Sequence, residues 1–232
     1  IKEIGEMVKE RGIIFHVDAV QAVGRVPINL RMLRQIDLLS VSGHKFHAPK
    51  GVGALFVRRG VKLSPLVIGG PQERMRRAGT ENVASIIGMG KAAELASIYL
   101  QEEDTRVRNL RDQLETGLLK QIPLLRVNGK RETRIPNTTN ITFIGLDARK
   151  LLKSMEGNGI YASSGAACTE GKTPSHVLLA MGLPPQDAFS SIRFGLSRYN
   201  TEVEIEYVTD VIALIGSHMR SGTTLAFRSV SH

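Results

Sequence analysis

The sequence predicts an α/β protein of two domains. Three observations carry that reading. First, short β-branched apolar runs stop at polar, chemistry-bearing residues: residues 13–17 end at Asp18, and residues 36–41 end at Ser42-Gly43-His44-Lys45. Second, a long helical pattern starts near Val83, breaks around residues 101–104 and persists through Leu110, Leu114 and Leu118 to Pro123. Such a connection suits a bridge between domains. Third, strands and helices alternate after it. The domain boundary is therefore placed inside the bridge, giving 1–105 for a first domain, 106–220 for a smaller α+β second domain and 221–232 for a frayed tail.

In chain order, Ile1, Ile4 and Val8 share one helical face, and Gly12 is the expected stop. The element opens without an N-cap, which reads as the chain beginning in mid-helix. Residues 13–17 are expected to form a buried strand and residues 36–41 a second one. Residues 54–57 form a third after the Gly51-Val52-Gly53 turn. Thr80 is expected to cap the next helix, which carries Val83, Ile86 and Ile87. In the second half residues 138–143 read as a strand by their β-branched content, and Asp147 caps a helix over 148–156. A short helix covers 175–181. Ile192, Phe194 and Leu196 alternate as one strand face, with Arg193 on the other. Thr201 and Glu204 form a capping box for a helix running to about Met219.

Composition narrows the function. Of 232 residues, 31 are basic and 22 acidic, a net charge of +9, yet no basic patch is interleaved with aromatic residues. This disfavours nucleic acid as a partner. No apolar stretch approaches the ~20 residues that span a bilayer, so no membrane is expected. A single cysteine cannot close an internal disulfide, and a cytoplasmic location is expected.

The chemistry concentrates at two strand ends. In an open α/β sheet, ligands sit outside the carboxyl ends of the strands, which places Asp18 and Lys45 at one crevice. A buried lysine amine condenses with an aldehyde, and a carboxylate holds a pyridinium nitrogen protonated. Ser42 and His44 flank the lysine with donors suited to a phosphate. Taken singly, Lys45 also fits a solvated loop lysine and Asp18 a turn residue. Cys168, the only thiol, lies in a stretch of small and polar residues, 163–172, that reads as an exposed mobile loop.

Five ordered motifs resemble the group I cysteine desulfurases of the NifS/IscS type. They are HVDAVQ (16–21), SGHKFHAPKGVGAL (42–55), GGPQERMRRAGTEN (69–82), SSGAACTEG (163–171) and SIRFGLSR (191–198). Those enzymes are class V aminotransferase relatives of fold type I. The resemblance implies a three-layer PLP-transferase-like large domain, here partial and with a mixed, mostly parallel sheet, because a long N-terminal portion is absent. It implies pyridoxal 5'-phosphate as cofactor, with Lys45 as its Schiff-base lysine and Asp18 as its pyridinium partner. Gln21 would donate to the ring oxygen, and Ser42 and His44 would bind the phosphate. Thr80 would reach the phosphate of the other subunit in a homodimer. Arg193 would bind the carboxylate of L-cysteine, and Cys168 would take its sulfur as a persulfide. The implied sulfur recipient is an iron–sulfur scaffold or another acceptor protein. The loop after Cys168 is one residue shorter than the family pattern before Pro174-Ser175-His176. A selenocysteine lyase, an aminotransferase or an inactive dimerising or scaffold-docking module stays open as an alternative.

Overall fold

The computed structural model describes residues 1–164 and 173–222. The chain divides into two compact units, Ile1–Gln101 and a second from Glu102 onward.

The first unit opens with helix α1 (Lys2–Lys9), followed by strands β1 (His16–Asp18), β2 (Leu38–Ser42) and β3 (Gly53–Val57). β1 runs parallel to β2, and β3 runs antiparallel to it, so the sheet is mixed with one junction of each kind. Side chains alternate across the pleat. Val17, Leu39 and Phe56 are register partners on one face and join Ala19 and Ile36 in a small core. His16, Asp18 and Ser40 fall on the other face. Buried Asp37 accepts from Phe15 N at 3.0 Å and pairs with Lys9 at 3.6 Å.

The expected buried strand over 13–17 is corrected here. β1 begins only at His16, and Ile13 and Ile14 are more than half exposed. Nothing in this unit lies over them, so their apolar character signals no burial. The α1 helix ends at Lys9, before Gly12, which takes the left-handed turn at φ 64°.

A single turn, α2 (Gln72–Met75), precedes α3 (Val83–Ile98). The cap of α3 is Asn82, whose side chain accepts from Ser85 N. Thr80 lies two residues before that cap and is exposed, which corrects its expected capping role. Asn is as good a cap as Thr, and only Asn82 stands directly before the first helical residue. The α3 helix packs Ala92 and Ala96 on Phe46 and Ala48.

The second unit starts at Glu102, the last residue of the short helix α4 (Leu100–Glu102), and continues through a π-turn over Glu103–Val107 into α5 (Arg108–Gln121). Strands β4 (Leu125–Val127), β5 (Thr138–Phe143) and β6 (Ser191–Gly195) form an antiparallel sheet in that order. Three longer helices, α5, α6 (Ala148–Glu156) and α9 (Glu202–Ser221), share one core with the sheet's apolar face, where Phe143, Leu118, Ile192, Ile212 and Ile215 are fully buried. Short helices α7 (His176–Ala180) and α8 (Pro185–Phe189) complete the unit.

Local signals dictate these boundaries. Asp147 accepts from Arg149 N and Lys150 N at the start of α6. Thr201 and Glu204 close a reciprocal capping box on α9. The expected tail over 221–232 begins too early, since Ser221 is the last residue of α9 and Gly222 caps it at φ 69°; residues 223–232 lie outside the described residues.

A buried ion network braces α5. Arg111 is fully buried and gives two hydrogen bonds to Asp112 Oδ1, at 2.9 and 2.6 Å. Its Nε lies 4.0 Å from Glu115, and Arg134 Nη1 lies 2.8 Å from the same Glu115 oxygen. That last contact is a close charge pair rather than an aligned hydrogen bond, since Glu115 Oε1 has no hydrogen-bond partner. Burial raises the Asp112 carboxyl, but hydrogen bonds from Arg131 and Arg111 more than offset this and hold it below its usual value.

Candidate active site at two strand ends

Asp18 closes β1. Its Oδ1 accepts from Val20 N at 3.0 Å, while Ala19 N binds Ser40 O at 3.0 Å. This short turn fixes the carboxylate at the carboxyl end of the strand. Gln21 follows in the same turn, exposed.

Ser42 closes the neighbouring parallel strand β2. The chain then tightens into a 3-10 turn, Gly43–Phe46. Gly43 is required there: a Cβ would meet Val52 O at 2.9 Å and the Ala48 methyl at 3.0 Å. Gly43 N donates to Val52 O, and Ala48 N closes the turn on Gly43 O. The Ser42 hydroxyl and His44 Nδ1 are 3.0 Å apart, so the two side chains already face one another. Phe46 is buried against α3 and anchors the turn. Lys45, between His44 and that anchor, is exposed, and its amine has no hydrogen bond or ion pair among the described residues.

The expectation of a buried lysine beside a buried aspartate is therefore corrected. Both side chains are exposed, because β1 is three residues long and no element of this unit covers the strand ends. The structure does bring Asp18, Gln21, Ser42, His44 and Lys45 to the carboxyl ends of adjacent strands. Thr80 belongs to the same unit but lies in the loop before α3.

The donor set suits pyridoxal phosphate. It offers a free primary amine for an aldehyde, a carboxylate for a ring nitrogen and a hydroxyl–imidazole pair for phosphate oxygens. No group of three or more His, Cys, Asp or Glu residues that could hold a metal ion is found among the described residues.

Arg193 lies in the second unit, in the middle of β6. Ile192 and Phe194 on either side are buried, whereas Arg193 is exposed, as the alternation predicts. Ser163 pairs with it through both backbone hydrogen bonds, at 3.1 and 2.7 Å. Arg193 lines a cavity of about 380 Å³ with Asn128, Asn140, Arg134, His176 and Ser175. Its guanidinium has no protein partner among the described residues. Cys168 lies outside the described residues, between Ser164 and Thr173.

One feature escaped the sequence reading. The face of the β4–β5–β6 sheet that carries Arg193 is polar at every side chain: Arg126, Asn128, Thr138, Asn140, Thr142 and Ser191. The signal was present as the alternation of Thr138, Asn140 and Thr142 with Ile141 and Phe143, but it resembles an ordinary solvated strand face. Asn128, Thr142 and Ser191 are instead buried.

No single helix among the described residues is long and apolar enough to cross a membrane. The family model for aminotransferase class V matches residues 1–208. A cysteine desulfurase of Nostoc sp. is 55% identical over 222 residues, covering 95% of this chain and 55% of that protein. The cysteine desulfurase IscS of Clostridium botulinum is 47% identical over 228 residues, covering 97% of this chain and 57% of that protein. Among solved structures, a NifS-like protein superposes with a TM-score of 0.85 at 37% identity, covering 93% of this chain and 56% of that one. A NifS-like protein from Rickettsia africae gives 0.85 at 36% identity, covering 93% and 57%. The chain spans about half the length of the curated relatives it matches. On the strength of the 1–208 match, the chain belongs to the aminotransferase class V family.

Proposed function

We propose that this chain supplies the cofactor lysine and the sulfur-accepting cysteine of a pyridoxal-phosphate-dependent cysteine desulfurase. The observation that carries the reading is the cluster at the ends of β1 and β2. A free amine, a carboxylate and a hydroxyl–imidazole pair meet there, in a chain whose relatives are named cysteine desulfurases.

When bound, pyridoxal phosphate supplies an electron sink for negative charge at the substrate's α-carbon. Lys45 would hold the cofactor through its amine, and the same amine would carry the substrate's α-proton. Asp18 keeps the ring nitrogen protonated by accepting from it, and Gln21 donates to the ring oxygen. Ser42 and His44 bind the phosphate, and Thr80 reaches the phosphate of a partner subunit in a homodimer. Arg193 binds the carboxylate of L-cysteine, for which a planar guanidinium offers two parallel donors.

Cys168 acts as a thiolate on the substrate sulfur. A sulfur–sulfur bond forms and the substrate's carbon–sulfur bond breaks. The electron pair stays with the carbon fragment, which is protonated and leaves as alanine, and a persulfide remains on Cys168. An iron–sulfur scaffold or another acceptor protein takes that sulfur. Ser163 is the backbone partner of Arg193, and a chain reach of ~3.3–3.6 Å per residue lets Cys168, five positions further on, approach Arg193.

The test is borohydride reduction of the protein with pyridoxal phosphate, followed by peptide mapping. The label is expected on Lys45 and absent from Lys45→Ala. Cys168→Ala should retain the reducible adduct yet lose alanine and persulfide formation from L-cysteine. A label on another lysine, or undiminished alanine release from Cys168→Ala, overturns the assignment.

A further inference from the structure

We infer that Asn140 is a second donor for the substrate's carboxylate, its amide N–H groups turned into the Arg193 cavity by a hydrogen-bond relay through Asn128, Thr142 and Ser191. The inference rests on the amino-acid substrate proposed above, but its geometry stands on the second unit alone.

The relay has a fixed direction because both of its ends have only one role. At one end Ser191 Oγ lies 2.7 Å from the carbonyl oxygen of Asp187, which only accepts, so the serine proton points there. Ser191 Oγ must then accept from Thr142, 2.8 Å away. Thr142 Oγ1, having donated its proton, must accept from the side chain of Asn128, also at 2.8 Å, which makes that atom the amide nitrogen. At the other end Arg126 Nε, which only donates, reaches the opposite atom of the same amide at 3.4 Å, so that atom is the oxygen. The two ends agree on the orientation of Asn128.

That orientation sets Asn140. The Asn128 nitrogen gives its second hydrogen to the Asn140 side chain at 2.7 Å, so the Asn140 atom facing it is the carbonyl oxygen. The Asn140 amide nitrogen therefore faces away from Asn128 and donates to no group among the described residues. Thr142 and Ser191 are fully buried and Asn128 is 7% exposed, so water does not compete for the relay.

Asn140 and Arg193 are direct cross-strand partners on the same polar face. Opposed residues of an antiparallel pair hold their Cβ atoms ~4.5–5.5 Å apart. Both side chains line the one cavity, whose described walls add the cations Lys130 and Arg134 and contain no carboxylate. A planar two-oxygen anion matches this arrangement, taking hydrogen bonds from guanidinium and from neutral amide. The amide adds a donor without another charge to desolvate.

A cofactor-independent experiment comes first. ¹H–¹⁵N spectra of the protein are recorded during titration with L-alanine, propionate and ethylamine. The Asn140 side-chain amide pair is expected to shift saturably with the two carboxylates and to stay still with ethylamine. An Asn140 pair that ignores the carboxylates overturns the inference.

Kinetics in cofactor-loaded protein follow. Asn140→Ala should raise KM for L-cysteine about tenfold with kcat changed less than about twofold, the pattern of lost ground-state binding. Its visible cofactor spectrum should be unaltered. Asn128→Asp should give most of the same KM rise with residue 140 intact, because carboxylate oxygens cannot donate and the Asn140 amide must reverse. An unchanged KM in Asn140→Ala defeats the proposal whatever Asn128→Asp does. If wild-type protein shows the carboxylate response but no L-cysteine turnover, the desulfurase reading falls and the anion site stands. Normal turnover with a silent Asn140 sinks the site alone.

Discussion

From Glu102 onward, α5, α6 and α9 seal one face of an antiparallel sheet, and Phe143, Ile192, Ile212 and Ile215 show no exposure. In Ile1–Gln101 the buried apolar residues, Ala78 apart, fall into two small clusters around Ile36 and Phe46. There Leu66, Ile68 and Ile87 stand 96%, 85% and 67% exposed. The difference lies in matched faces. Each long helix of the second unit presents an apolar stripe to the sheet. The α3 helix is apolar on nearly all sides, and the first unit covers only the stripe around Ala92 and Ala96. The chemistry divides the same way: the proposed cofactor residues lie in the open unit and the cavity of Arg193 in the closed one.

The largest expected effect follows from cavity formation. Phe143→Ala should cost about 3–5 kcal/mol, and Leu39→Ala, in the small cluster, should fall near 2 kcal/mol, the low end for such truncations. Hydrogen exchange reads each unit separately through the amides of Ile192 and Leu39. A larger loss at Leu39 than at Phe143 breaks the comparison.

Charged groups repeat the contrast at smaller size. Glu115 is buried between Arg111 and Arg134, so Glu115→Ala leaves the largely buried Arg134 without its carboxylate, while Arg111 keeps Asp112, and should cost about 3 kcal/mol. In the first unit Lys9, whose side chain is 58% exposed, pairs with Asp37 across 3.6 Å. Removing Lys9 should cost about 1 kcal/mol or less, because Lys9 itself is solvated and the buried Asp37 carboxylate keeps its hydrogen bond from Phe15 N. Urea unfolding of the two variants decides this step, and equal losses would erase the distinction.

The capping box of α9 is a smaller lever. Thr201→Ala should cost about 1 kcal/mol. Glu204 is held below its ordinary 4.5 by the backbone N–H of Thr201 first, with help from the Asn200 amide. Its folded value lies below its unfolded one, so its contribution is present at neutral pH. That contribution fades as pH falls from 4.5 through the folded value. Glu204 is exposed, which keeps its own share small. Glu204→Gln should make the acid limb of stability slightly shallower in the second unit and leave the first unit's limb unchanged.

Legibility in the sequence followed the same division. Residues 138–143 and 148–156, the Asp147 cap and the Thr201–Glu204 box were readable because each is fixed by a local pattern. Strand β4 and helix α8 were not, since three and five residues carry too little periodicity. In the first unit the strand-end motifs could be located from the sequence, but the exposure of Asp18 and Lys45 could not. Exposure depends on what lies over a strand end, and no local pattern records that. Arg193 was placed on the correct strand face by alternation alone. The Asn140 relay was invisible because an alternating polar face looks identical whether solvent or helices cover it.

The smallest expected effect on folding tests the open unit most directly. Ile87 projects from α3 with 67% of its surface exposed, beside Val83 at 60% and Ile86 at 41%. Contiguous apolar surface of this kind drives association between copies, while a surface substitution changes folding stability by only about 0.5 kcal/mol or less. Ile87→Lys should therefore leave unfolding of both units unchanged and shift the sedimentation profile toward slower species. Leu214, on α9 of the closed unit, is also 50% exposed and serves as the control. Leu214→Lys should change neither unfolding nor sedimentation, because Asp210 and His218, one turn to either side of it on α9, interrupt the apolar surface there. Sedimentation velocity over a tenfold concentration range separates these outcomes. An equal response to both lysines would mean that the openness of the first unit has no consequence for association.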